Sequence, residues 1–376
     1  MVKKFSLFII SLIFVFNLQS FANGDELDIS AQSAVLMCAE NNSVVYAKNE
    51  NEERPMASTT KIITALIALE EMELRNREVT VTDEMVRVEG TSMGLLPGNI
   101  VDLYALAQGM MMASGNDAAN STAIALAGSK EKFAEKMNEK AKQIGMNHTL
   151  FVTPSGLDEG NHHSTAYDMA LLGSYAMENK KFSDIVSQKC MKIVFKKPEQ
   201  VFTLVNHNKL LRLYKDCIGI KTGFTKKAGR CLVSCAERDG VRLVAVTLNA
   251  PSDWNDHIKM FDYGFSKVKS VKFDDSSFRF SMPLVGAIKS QVELEGATSD
   301  SISIKSDDLG RVERYVELQN FVYAPIKTGQ TLGKVVYKLD GKVIAQNNLT
   351  SKTEELYFAE KKNIVQKILE FFQSMF

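Results

Sequence analysis

Pro55-Met56-Ala57-Ser58-Thr59-Thr60-Lys61-Ile62-Ile63-Thr64-Ala65-Leu66-Ile67-Ala68-Leu69 is the stretch from which the rest of the chain is best read. From Ser58 onward, Ile62, Ile63, Ala65, Leu66, Ile67 and Leu69 leave almost no polar face, which predicts a buried helix over 58–69. A spacing of three places Ser58 and Lys61 on one side of that helix, a turn apart, within reach of each other. A serine hydroxyl is a weak nucleophile until a base takes its proton, and a lysine amine can be that base where burial favours its neutral form. The backbone N–H groups at the helix start could also bind a developing oxyanion. A plainer alternative stays open, in which Ser58 or Thr59 caps the helix and Lys61 snorkels to water.

Two further short motifs follow. Leu103 to Ser114 reads as a second apolar helix, broken at Ser114-Gly115-Asn116 before an Ala-rich helix over 117–127. Polar atoms between two buried helices are costly unless used. Either they make a turn with Asn116 or Asp117 as cap, or Ser114 and Asn116 face a cleft where they relay a proton or hold an amide. Downstream, Lys221-Thr222-Gly223-Phe224-Thr225 precedes two β-rich runs, 230–236 and 242–248, separated by Asp239-Gly240, a hairpin signal. The lysine motif therefore falls on a strand beside a hairpin. A cation, a hydroxyl and a glycine that admits close approach suit a peptide ending in a carboxylate. An ordinary strand with an exposed lysine is the alternative.

Ser-x-x-Lys, Ser-x-Asn and Lys-Thr-Gly, in this order, resemble the signature of penicillin-binding proteins and serine β-lactamases. The flanks narrow the resemblance. Pro55 to Lys61, Ser114 to Ala119, Asn147-His148-Thr149, Pro154-Ser155-Gly156-Leu157 and Lys221 to Thr225 resemble the low-molecular-weight D-alanyl-D-alanine carboxypeptidases of peptidase family S11, nearest to their Gram-positive, sporulation-associated branch. The likeness runs through residues 30 to 265 and more weakly beyond. It implies a β-lactamase/transpeptidase-like α+β domain, helices packed on an antiparallel sheet. It also implies a peptidoglycan stem peptide ending in D-Ala-D-Ala as substrate and β-lactam antibiotics as covalent inhibitors.

In the mechanism implied by that resemblance, Ser58 attacks the penultimate carbonyl, Lys61 takes its proton, and the N–H groups of Ser58 and Phe224 form the oxyanion hole. Ser114 passes the proton to the departing D-alanine, Asn116 orients the substrate amide or Lys61, Lys221, Thr222 and Thr225 hold the terminal carboxylate, and Gly223 and Phe224 complete the substrate-binding strand. Lys61 then activates the water that hydrolyses the ester. The stretch Gly90 to Gly98 corresponds to a loop bordering the cleft in relatives, which would bring Ser92 and Met93 to substrate, or it is a plain connection. Arg230 departs from the family pattern, and sequence gives it no role. Two other functions compete. A β-lactamase would add a Glu-x-x-x-Asn segment, absent between Asn147 and Asp168, and a catalytically idle wall-binding module would not need three intact motifs.

Composition agrees. Charge is balanced, with 45 Lys and Arg against 45 Asp and Glu, so nothing suggests nucleic acid. Met1 to Ala22 has Lys3 and Lys4, an apolar run from Phe5 to Phe16 and small residues at Ser20 and Ala22, the pattern of a cleaved secretory signal. An uncleaved anchor is the alternative, although the run is short for a span. Cys38, Cys190, Cys217, Cys231 and Cys235 are odd in number, so at least one thiol is unpaired, and buried core thiols are the expected role. No Cys-x-x-Cys or His-x-x-x-His spacing occurs, and adjacent His162 and His163 would point apart. Neither a metal nor another cofactor is assigned.

The chain divides into a signal (1–22), a catalytic domain (30–265), a small all-β domain (266–357) and a tail (360–376). Alternating runs at 301–305, 312–318 and 334–339, broken by Asp-Gly, Gly-Gln and Asp-Leu-Gly turns, define the β domain as a spacer or docking module. In the tail, Ile364, Val365, Ile368, Leu369, Phe371, Phe372, Met375 and Phe376 share one helical face, with Lys361, Lys362 and Lys367 elsewhere. Such a helix fits a membrane surface. A helix docked on the β domain is the alternative.

Overall fold

The computed structural model describes residues 27–358, together with 371, 373 and 374. The expected signal over 1–22 and nearly all of the expected tail helix over 360–376 therefore lie outside the described residues.

The centre of the larger, N-terminal part of the chain is a five-stranded antiparallel sheet in the order Val44–Lys48, Ser33–Cys38, Val241–Leu248, Gly229–Arg238, Cys217–Thr225. Its inner strands are almost continuously apolar because both faces are covered. Val35, Met37, Val233, Val244 and Val246 point into the larger core, shared with the helices Lys61–Leu74, Leu103–Met112, Asn116–Ala127 and Ala166–Glu178. Alternate residues Ala34, Leu36, Leu232, Leu243 and Ala245 face the helix Asp253–Lys267 through Met260 and Phe261. The result is an α-β-α sandwich with period-two alternation in the strands and no polar face. Asp239 and Gly240 both have positive φ, at 51° and 76°, and turn the hairpin the sequence predicts.

Beyond Lys267, Val268–Val271 pairs with Ile302–Lys305, and a six-stranded sheet follows in the order Glu313–Leu318, Thr331–Leu339, Lys342–Ser351, Gln291–Glu295, Arg279–Val285, Val322–Tyr323. Met282, Leu284, Val292, Leu294, Val335 and Leu349 form its separate core. Four thiols are buried, but Cys190 is exposed on the strand Cys190–Phe195, so the expectation of core thiols fails there. Among the described residues no helix is long and apolar enough to cross a membrane.

One carboxylate fastens the β domain internally. Asp275 is fully buried and accepts from Arg314 Nε (3.0 Å) and Nη2 (2.8 Å), Tyr337 OH (2.9 Å) and Asn347 Nδ2 (2.7 Å). Removing it strands a guanidinium and two polar side chains together. Asp275→Ala is expected to cost about 3 kcal/mol, the low end for a broken buried pair because Arg314 keeps some solvent contact. Urea denaturation should register that loss as a lower unfolding midpoint, and an unchanged midpoint would remove Asp275 from this role.

Candidate active site

The entry to the first long helix differs from the sequence expectation. Ala57 has φ of 49°, and the chain passes through a 3-10 turn, Ala57–Thr60, before the α-helix begins at Lys61. The tighter turn follows from that positive-φ step, which brings the chain in at an angle an α-helix could not continue. Ser58 thus precedes the helix, and Lys61 opens it. Neither Ser58 nor Thr59 caps it, since Thr59 Oγ1 turns back to the Met56 carbonyl at 2.6 Å. Lys61 is 0% exposed, so it does not snorkel. Its Nζ donates to Ser58 Oγ at 2.9 Å and to the Ser155 carbonyl at 2.6 Å.

A loop over 152–162 clamps this turn. Thr64 Oγ1 donates to Pro154 O (2.7 Å), and His162 Nε2 meets Thr60 Oγ1 at 2.8 Å while its Nδ1 accepts from Val152 N at 2.9 Å. An accepting Nδ1 fixes the tautomer with Nε2–H donating. Burial holds His162 down at about 4, so it stays neutral in that role at ordinary pH. Gly156, at φ of 82°, lies where a Cβ would sit 2.0 Å from the Ala57 carbonyl; any side chain there would push the loop off the turn.

Ser114 has φ of 59°, rare for a residue with a side chain, and is 5% exposed at the break between helices. Asn116 opens the following helix. Its Nδ2 donates to Glu89 O at 2.6 Å, and its buried Oδ1 has no partner among the described residues. Asp117 organises the neighbouring loop. It accepts from Ser92 Oγ (2.5 Å), Met93 N (2.9 Å), Gly94 N (3.1 Å) and Leu95 N (3.0 Å). Ser92 is therefore turned to Asp117, and Met93 packs into the core against Gly109. Gly90 and Thr91, not Ser92 and Met93, line the cleft: the buried Asp117 carboxylate draws the Ser92 hydroxyl and the N–H groups of Met93, Gly94 and Leu95 to itself, and the Met93 side chain goes into the core.

Opposite stands the edge strand Cys217–Thr225. Gly223 passes so close that a Cβ there would lie 3.1 Å from the backbone nitrogens of Ser58 and Thr59. Lys221 is 1% exposed, and its Nζ donates to Thr222 O at 2.8 Å from behind the strand. Burial alone lowers it to about 7. Lys61 is held well below the usual lysine value, chiefly by burial and then by Lys221, against an opposing pull from Asp117. Ser58, Ser114, Asn116, Thr222, Gly223, Phe224 and Thr225 all line one cleft of about 410 Å³, with the two lysines buried in its walls. Arg230 closes one end. It makes a bidentate pair with Asp253 (2.7 and 2.9 Å from Nη2) and its guanidinium lies 5.5 Å from the Trp254 ring centre.

Sequence reasoning missed His162 and the role of Asp117, and only the Ser92-x-x-Leu95 neighbourhood of small and backbone donors hinted at the second. The cleft can do acyl transfer: a hydroxyl beside an amine biased towards neutrality, a strand edge for a peptide, and an unpartnered amide oxygen for an N–H.

Comparison with known proteins agrees. The family described as D-alanyl-D-alanine carboxypeptidase matches residues 19–252, and that described as penicillin-binding protein 5, C-terminal domain, matches residues 281–355. The chain is similar to D-alanyl-D-alanine carboxypeptidase DacF of Bacillus subtilis, 34% identical over 342 residues that cover 88% of this chain and 87% of that protein. It is 32% identical to DacC of Escherichia coli K12, covering 85% and 83% of the two chains. The solved penicillin binding protein 5 from Haemophilus influenzae superposes with a TM-score of 0.65 at 29% identity, over 87% of this chain and 98% of that one. With the three motifs gathered on one cleft and both of its folded units matched, the chain belongs to the S11 peptidase family and is a D-alanyl-D-alanine carboxypeptidase.

Proposed function

We propose that this enzyme removes the terminal D-alanine of peptidoglycan stem peptides through a Ser58 ester, and that penicillins acylate the same oxygen. The observation that carries the reading is the 2.9 Å contact between Ser58 Oγ and the buried amine of Lys61. Lys61 in its neutral form takes the Ser58 proton as Oγ attacks the penultimate carbonyl. The N–H groups of Ser58 and Phe224 receive the oxyanion. Ser114 hands a proton to the departing D-alanine nitrogen as its C–N bond breaks, leaving the acyl-enzyme. Asn116 Oδ1, buried and without a partner among the described residues, accepts the N–H of the substrate amide. Water, deprotonated by Lys61, then cleaves the ester and restores Ser58. Thr222 and Thr225 meet the terminal carboxylate directly, and Lys221 supplies positive potential from behind the strand. The same reading assigns 1–22 as an export signal, 30–265 as the catalytic domain, 266–357 as the all-β domain and 360–376 as a membrane-surface helix.

Ser58→Ala is expected to abolish covalent labelling by penicillin and to lower D-alanine release from diacetyl-Lys-D-Ala-D-Ala at least about a thousandfold. Stoichiometric labelling of that variant, seen by intact-mass spectrometry, would refute Ser58 as nucleophile.

The two lysines predict a bell-shaped dependence of kcat/KM on pH. The acid limb is the loss of the neutral base as Lys61 protonates, and the alkaline limb, near pH 7, is Lys221 giving up its charge. In Lys221→Ala the alkaline limb should vanish while a slower, rising acid limb remains. Persistence of the alkaline limb in that variant would remove Lys221 from the assignment.

Deleting residues 360–376 should move the protein from the membrane to the soluble fraction, read by fractionation of expressing cells. Unchanged association would dismiss the tail as the anchor.

A further inference from the structure

We propose that one end of the C-terminal all-β domain is itself a membrane-contact surface, meeting lipid through three chain segments that the fold brings side by side. These are the turn following the strand Arg279–Val285, the edge strand Val322–Tyr323 and the stretch 355–358. They are tied by backbone hydrogen bonds. Leu284 and Val285 pair in parallel with Val322 and Tyr323, Ala324 N donates to Val285 O at 2.9 Å, and Phe358 N donates to Gly286 O at 2.7 Å. The Tyr357 ring lies over Gly286, 3.3 Å from where a Cβ would stand.

At this end Ile288 is 85% exposed, Leu356 69%, Tyr323 66% and Tyr357 65%, with Val285 and Phe358 also open to solvent. Single exposed apolar side chains need no explanation, but such a cluster on one end of one small domain marks a contact surface. Its composition points to lipid. Aliphatic side chains stand among tyrosines whose apolar rings and polar tips suit the boundary between water and acyl chains. Glu355, the carboxylate seated among them, is itself shielded by Lys289 at 2.6 Å.

The direction of the chain points the same way. Phe358 lies within the patch, and the sequence runs on from it into 359–376, with Lys361, Lys362 and Lys367 among the apolar residues. Whatever surface that tail meets, the patch is delivered to it within a few residues. Two modest apolar contacts joined by so short a connection reinforce each other, where one alone would bind reversibly. The patch would also fix the orientation of the domain on the surface, which a lone tail cannot do.

The inference rests in part on reading the tail as interfacial, so the test separates the two. The full chain, the double variant Ile288→Asp/Leu356→Asp, a chain ending at Phe358, and that truncated chain carrying the double variant are floated with vesicles of phosphatidylglycerol and phosphatidylethanolamine. Because both substituted side chains point into solvent, D-alanine release from the soluble peptide serves as the folding control. The double variant is expected to partition at least about tenfold more weakly than the full chain, the loss that goes with keeping isoleucine- and leucine-sized side chains in water. If truncation alone changes nothing while the double variant still weakens binding, the tail reading fails and the patch stands. Equal partition of the full chain and its double variant overturns the proposal. So does a double variant that keeps its vesicle binding but loses affinity for peptide-free glycan strands, which would assign the patch and the adjoining groove around Gln319, Asn320 and Gln330 to sugar.

Discussion

The Lys61 amine is fully buried against two neutral oxygens, the Ser58 hydroxyl and the Ser155 carbonyl, and among the described residues it pairs with no carboxylate. A charge buried without a paired counter-charge is expensive, so the site favours the free amine, the form that can accept the serine proton. Everything close to it serves that environment. The positive φ at Ala57 sets the 3-10 turn that aims Ser58, Gly156 lets the covering loop come down on Ala57, and Thr64 and His162 pin that loop from two sides. Loosening any of these would admit water to the amine and return it towards its ordinary, protonated state.

The sheet sets the other wall. With both faces buried, the sheet is open at its two edges, Val44–Lys48 and Cys217–Thr225, and an edge strand would normally invite pairing with another chain. At Cys217–Thr225 the strand packs directly on the Ser58 turn, since a Cβ at Gly223 would lie 3.1 Å from the Ser58 and Thr59 nitrogens, and that contact holds the strand edge beside the nucleophile.

Much of this was readable beforehand. The apolar run after Ser58, the Ser114 break and the Lys221 strand followed by the Asp239-Gly240 hairpin each occupy the element that pattern predicts, and their polar members meet at one cleft. What pattern could not supply is where backbone direction and distant partners decide the outcome. Periodicity cannot distinguish a 3-10 turn from the first turn of an α-helix, so the sequence pattern puts Ser58 in the helix where the structure has it in the turn before it. Ser92 and Met93 read as loop residues near substrate because the pull of a buried Asp117 on their backbone leaves no mark in the local sequence. Arg230 finds its meaning in Asp253 and Trp254, beyond a whole intervening strand. His162, read beside His163 only as a ligand that failed a spacing test, acts by holding Thr60, about a hundred positions away in the chain.

The two lysines are best understood together. Both are buried in the walls of one small cleft, and the charge on Lys221 is one of the causes that push Lys61 downward. Two ammonium groups so placed cannot both be charged cheaply, so the protons distribute between them as a pair. A substrate ending in a carboxylate changes that balance. Bound near Thr222 and Thr225, its negative charge would favour the protonated form of Lys221, and a more fully charged Lys221 favours the neutral form of Lys61. On the proposed mechanism the terminal carboxylate would therefore do more than anchor the peptide: it would help to ready the base. A peptide amidated at its C-terminus would lose that effect as well as the direct contact, so its penalty should fall on the acylation step and not on binding alone.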